Sequence, residues 1–251
     1  MNELITPFPM IWWPTILLSF LSVVYIGSTF CSGQRYDRFT TNVPWRENNL
    51  LILGFMGGRD AWNTDNHLRR LALKLRSIKN PLVFAETLEN KKRGLAIELI
   101  RKAFDRNGDG ELDEQERTSV RLILYGQSFG GAATVKLARQ LKTMSVPVLL
   151  TVQIDSVGRG DKIIPSNVAR AANLFQRNGL FIRGEPQIIP EDPVKTTIVG
   201  NFEFDYTQKR IDISQVPWHK RVFRVAHNRI EHDSDVWAKV EELILDAINN
   251  S

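Results

Sequence analysis

Short unbroken aliphatic runs take turns along this chain with stretches in which apolar residues recur every three or four positions. The runs are "LLILG" (50 to 54), "PLVFAE" (81 to 86), "RLILYG" (121 to 126), "VPVLLTVQID" (146 to 155), "TTIVGNFEF" (196 to 204) and "RVFRVA" (221 to 226). They lack polar alternation, which predicts strands buried on both faces. Between them, residues 65 to 78, 94 to 104 and 131 to 144 carry helical periodicity. A last helix is predicted from Val236, Val240, Leu243, Ile244, Ala247 and Ile248, with Asp233 or Ser234 as its cap. Strand and helix in alternation predict an α/β fold, a mostly parallel sheet with helices on both faces. Neither an internal repeat nor a low-complexity tract interrupts the pattern.

The first 34 residues read differently. Between Glu3 and Arg35 there is no charge, and Ile11 to Phe30 is about as long as a helix that crosses hydrocarbon. The expected organisation is therefore a membrane-directed segment, 1 to 34, before a globular domain, 35 to 251. The segment lacks a basic leader and an obvious small-residue cleavage site, so a retained anchor is favoured over a clipped signal that would leave a secreted or periplasmic protein. Arg35, Arg38 and Arg46 weakly favour a cytoplasmic C-terminal flank.

Composition narrows the classes further. With 251 residues the chain can bury one substantial core. A formal charge of +5 is spread along the sequence, with no basic cluster longer than residues 91 to 93, and no nucleic-acid partner is expected. The single cysteine, Cys31, excludes an intramolecular disulfide and a cysteine-rich metal site. Phe30 stands where a lipoprotein cleavage box needs a small residue.

Two motifs follow each other closely. In "LYGQSFGGAA" an apolar strand ends and a helix opens around Gly126, Ser128 and Gly130, the G-x-S-x-G pattern. A chain reversing that sharply forces the serine into a strained conformation, and side chains two residues to either side would collide with neighbouring elements. A glycine-rich turn with a capping serine would also fit the pentapeptide; the flanking strand and helix argue for a nucleophile.

On these residues the chain resembles the α/β-hydrolase superfamily over most of 45 to 251. "LLILGFMGGRDAWN" is similar to the family's third strand and following loop, "RLILYGQSFGG" to its nucleophile strand, "VPVLLTVQIDSVG" to the next strand ending in an acid, and "AHNRIEHDSDVWAKVEELI" to its histidine loop and closing helix. The resemblance implies a serine hydrolase acting on a carboxylic ester or thioester. A serine hydroxyl needs a base, and the base needs an anion to hold it. Of four histidines, His67 is expected to be solvated and His219 to line a pocket rim, while His227 and His232 both lie where the base belongs, with His227 preferred. Asp155 is the preferred acid and Asp205, one strand later, the alternative. The amide of Phe129 and one from Phe55 or Met56 are expected to form the oxyanion hole. The chain between Asp155 and His227 leaves room for a short lid around 183 to 193 and argues against a large cap.

Just upstream, "DRNGDGELDEQE" fits the twelve positions of an EF-hand calcium loop without a gap. Asp105, Asn107 and Asp109 supply oxygens, Gly110 the turn, Glu111 a carbonyl, Asp113 a water-bridged ligand and Glu116 the closing carboxylate. One loop with a short exiting helix reads as a structural Ca2+ staple ahead of the serine strand, with regulation the less favoured reading. Three functions thus stand before the structure: a membrane-associated hydrolase, a non-catalytic calcium-binding protein on the same scaffold, or a membrane-anchored structural domain.

Overall fold

In the computed structural model the described residues are 49–58, 66–78, 80, 82–180, 182–216, 218 and 224–250. The N-terminal segment, and with it any anchor, lies outside them, as does His219. Among the described residues no helix is long and apolar enough to cross a membrane.

Side chains in a strand point alternately to opposite faces, so a continuous aliphatic run supplies two cores at once. Strand β1 (Leu50–Met56) does this: Leu51, Leu53 and Phe55 enter one cluster, and Leu50, Ile52 and Met56 the other. Beside it lie β2 (Val83–Glu89) and β3 (Arg121–Gln127), followed outward by β4 (Val148–Ile154), β6 (Val168–Phe175) and β8 (Thr197–Glu203). The order is β2-β1-β3-β4-β6-β8, and every neighbouring pair is parallel. A separate two-stranded piece joins β5 (Ile163–Ile164) to β7 (Ile189–Pro190).

Helices cover both faces, as the periodicity predicts. On one side α2 (Arg93–Phe104) and α4 (Phe129–Thr143) bury Leu99, Ile100, Val135, Leu137 and Leu141. On the other, α1 (His67–Arg76) and α6 (Ser234–Asn249) bury Leu68, Leu71, Val236, Val240 and Ile244. Asn66 caps α1 and Asp233 caps α6, each accepting a backbone N–H two or three residues on. Two short helices, α3 (Glu114–Ser119) and α5 (Val225–His232), complete the order.

Three expectations need correction. Strand β6 was not anticipated; "VARAANLF" breaks its apolar run with Arg170 and Asn173, which are tied to Asp246 and to the Glu185 carbonyl. Strand β8 is the sheet's edge and is largely half-exposed, so it is not buried on both faces. The run at 221 to 226 ends in helix α5 from Val225 onward, and 219 to 223 lie outside the described residues.

The strand order also locates a crevice. From β1 the chain goes to β2 on one side, and from β3 to β4 on the other. The connections therefore diverge beyond the carboxyl ends of β1 and β3, the place where such sheets collect ligands. Ser128 stands there.

Candidate active site

Ser128 follows β3 with φ 57° and ψ −124°, in a region that side-chain-bearing residues rarely occupy. Its amide donates to the Ile154 carbonyl at 2.9 Å, and its carbonyl accepts from Gly131 and Val157. The glycines do what the turn demands. A Cβ on Gly126 would stand 2.3 Å from the Gly130 carbonyl oxygen, and one on Gly130 would stand 1.9 Å from that of Phe55. Strand β1, the turn and the first turn of α4 are in backbone contact at this point. Gly130→Ala is expected to cost about 3 kcal/mol, because backbone must move to admit the methyl; a chemical-denaturation midpoint measures it.

All strands of the large sheet being parallel, the residues that follow them share one edge. Asp155 follows β4, with φ 43° and no exposed surface. His227, in the first turn of α5, is also buried and places Nδ1 2.5 Å from Asp155 Oδ2. Facing a carboxylate, that nitrogen carries the proton and donates, which leaves Nε2 with its lone pair. The Ser128 hydroxyl makes no hydrogen bond to Nε2 among the described residues; such contacts often tighten only around substrate. Among the described residues, two of the three non-glycine residues with positive φ are Ser128 and Asp155.

The structure separates the alternatives. Asp205 is held within its own turn by the Thr207 amide and hydroxyl and by Asn178, and the Thr207 amide foremost keeps its carboxyl below the ordinary range. His232 donates Nδ1–H to the Asn228 carbonyl at 2.8 Å, one turn back on its own helix, and lies edge-on to His67. His67 is half-buried and stacked on Trp237, which corrects its expected solvation. Neither Asp205 nor His232 shares the Asp155–His227 contact.

Around the expected oxyanion hole, Phe55 and Met56 close β1 with their side chains in opposite cores. Phe129 is 53% exposed, and its ring lies against Gly58 in the loop after β1. Asn90 steadies that loop by donating to the Gly57 carbonyl at 2.7 Å. The 183 to 193 stretch is no free lid: β7 pairs with β5, the Glu185 amide donates to the Ser156 carbonyl, and a Cβ on Gly184 would meet Asp155 Oδ1 at 2.3 Å.

Sequence reasoning missed two groups. Buried Gln176 donates its backbone N–H to Asp155 Oδ1 and its side-chain amide to Oδ2; no motif marks it. Behind His227, the corner between α5 and α6 is tied by Tyr206. Its carbonyl accepts from Arg229, and its hydroxyl donates to buried Asp233, which Lys209 also grips. Burial, then the bond to Asp233, pushes the Tyr206 phenol far above its usual range, so it stays a donor. The bonds and charges of Asp233 and Asp235 outweigh burial and raise Lys209.

The acidic loop between α2 and α3 is ordered by its own backbone. Asp105 accepts from the Gly108 and Gly110 amides, Asn107 from Asp109, and Asp109 from Glu111. Gly108 and Gly110 have φ 75° and 88°, and Leu112 is seated in the core beneath. Asp113 and Glu116 form a capping box on α3, a D-x-x-E signal legible in the sequence. The oxygens of Glu116 accept from the amides of Arg106, Asn107 and Asp113. In type and order the donors suit a hard cation. In placement they are turned to amides, and among the described residues no three acidic or histidine side chains gather as a metal site.

The fold is thus α/β with a parallel sheet, compatible with the hydrolase resemblance. A scan against models of known protein families matches none, and a search of curated proteins finds no match.

Proposed function

We propose that this chain is a serine hydrolase of the α/β-hydrolase type that cleaves a carboxylic ester or thioester. The observation that carries the reading is the buried Asp155–His227 contact of 2.5 Å on the sheet edge where the strained Ser128 turn also lies. In this reading His227 Nε2 takes the Ser128 proton while Oγ attacks the acyl carbon. The tetrahedral oxygen is met by the Phe129 amide and one from the end of β1 or the loop beyond it. Collapse releases the alcohol or thiol, which takes the proton from His227. Water, deprotonated by the same nitrogen, then frees the acid and restores Ser128. Asp155 holds the imidazole in the one tautomer that can accept.

A fluorophosphonate probe tests this directly: the labelled peptide should contain Ser128. Absence of labelling, together with no turnover across a chain-length series of nitrophenyl esters, would end the hydrolase reading. The substrate is small or lipid-like, and attachment to a membrane through 1 to 34 completes the proposal.

Calcium is proposed as a structural partner. Bound by oxygens of Asp105, Asn107, Asp109, Glu111, Asp113 and Glu116, it would draw donors now turned to amides onto one centre and stiffen the connection that enters β3 two residues after α3 ends. At a hundred times its dissociation constant it should add about 2.7 kcal/mol to stability. Thermal melts in calcium and in chelator measure this; Glu116→Gln should remove the difference, and equal melts for the wild type would sink the calcium proposal without touching the catalytic one.

A further inference from the structure

The Asp155 carboxylate is fully buried, and one imidazole does not account for its surroundings. A carboxylate taken out of water needs several N–H donors to remain an anion. Among the described residues, the hydrogen bonds it receives besides that of His227 come from Gln176: the backbone N–H to Oδ1 at 3.3 Å and the side-chain Nε2 to Oδ2 at 3.1 Å.

The orientation of that amide is fixed by its neighbours. Nε2 also donates to the Ile182 carbonyl at 3.0 Å, and Oε1 accepts from the Gly179 amide at 2.8 Å. Turned over, the amide would set its oxygen against a carboxylate and a carbonyl and its NH2 against an N–H. Both N–H donors of the side chain are thus used, one on the acid and one on the loop beyond it. Arg183 Nε closes the same loop onto the Gly179 carbonyl at 2.6 Å. The chain then passes over Asp155 at Gly184, where only the lack of a side chain permits the approach.

We propose that Gln176 is a positioning residue for the candidate site: its amide sets the rotation of the Asp155 carboxylate, while the loop it folds, closed at Gly184, keeps water from that carboxylate. This rests on the hydrolase reading for its catalytic meaning, but the orienting role is a property of the Asp155–His227 pair itself. Gln176 touches no substrate atom. It acts through Asp155 on the direction of His227 Nδ1–H, hence on where Nε2 points.

The test uses the full chain with Gln176→Met, which keeps the length and removes both donors and the acceptor. Deleting the partner behind an orienting group commonly costs about ten- to hundredfold, as at metal sites. On a soluble nitrophenyl ester kcat should fall by about that factor with KM within about twofold. The downfield proton resonance of His227 Nδ1–H should shift or broaden, and Gly184→Ala should disturb it from the opposite side. An unchanged kcat with an unmoved resonance would overturn the proposal, as would a loss of rate that only follows the loss of folded protein. Should the wild type neither label nor turn over ester, the hydrolase reading fails, while the resonance still decides whether Gln176 orients the pair. If Gln176→Met does not fold, the wild type answers. Its Gln176 side-chain amide protons should exchange slowly with solvent at two well-separated shifts, and fast exchange at degenerate shifts would reject the assignment.

Discussion

Ser128→Ala is expected to abolish ester hydrolysis, lowering kcat on the order of a millionfold, because the attacking oxygen is gone and only the oxyanion donors and binding remain. Ser128→Gly should be as inactive and yet more stable. At φ 57° and ψ −124° the serine backbone is strained by roughly 1–3 kcal/mol, which glycine relieves; its greater freedom in the unfolded chain gives back about 0.4–1 kcal/mol. A net rise near 1 kcal/mol in denaturation, together with lost turnover, would mark a position whose conformation serves chemistry at the expense of stability. An inactive variant with lowered stability would speak against strain at the turn.

Asp155→Asn is expected to lower kcat about ten-thousandfold. The carboxylate now accepts from His227 Nδ1 and from both N–H groups of Gln176. An asparagine has one oxygen, so either the imidazole turns to the wrong tautomer or a Gln176 donor is left facing an NH2. Asp205→Asn is the matched control: its carboxylate serves its own turn and the Asn178 amide and makes no contact with His227, and kcat should stay within about twofold. Steady-state turnover corrected by active-site titration separates the two. The reverse result, with Asp205 essential and Asp155 dispensable, would overturn the assignment.

How much of this was legible depends on how local each signal is. The aliphatic runs that open β1 to β4 are legible because both faces are covered, and the glycines of the serine turn announce a backbone crowding, although its partner at Gly130, the Phe55 carbonyl, is distant in sequence. Strand β6 hid because its buried amide, Asn173, and its paired Arg170 satisfy partners 12 and 76 residues away, which no window along the sequence displays. Asp155 follows a strand as its run predicts, whereas His227 lies in the first turn of α5, where the apolar run had predicted a strand end. The contacts of His232 with its own helix and with His67, and those of His227 with Asp155, are visible only in the fold. Gln176 was invisible for a simpler reason: a glutamine becomes informative only when its neighbours leave its amide one possible orientation.

The pairing of β6 with β8 slips at Ala171 and Ala172, where Ile198 and Gly200 are the successive partners and Val199 is left over. A row of outward N–H and C=O groups on a regular border strand is a template on which a second copy could lay down its own backbone. The slip bends that row, and exposed Asn201 and Glu203 keep it hydrated. The irregularity therefore works against the pairing of that border with a second copy.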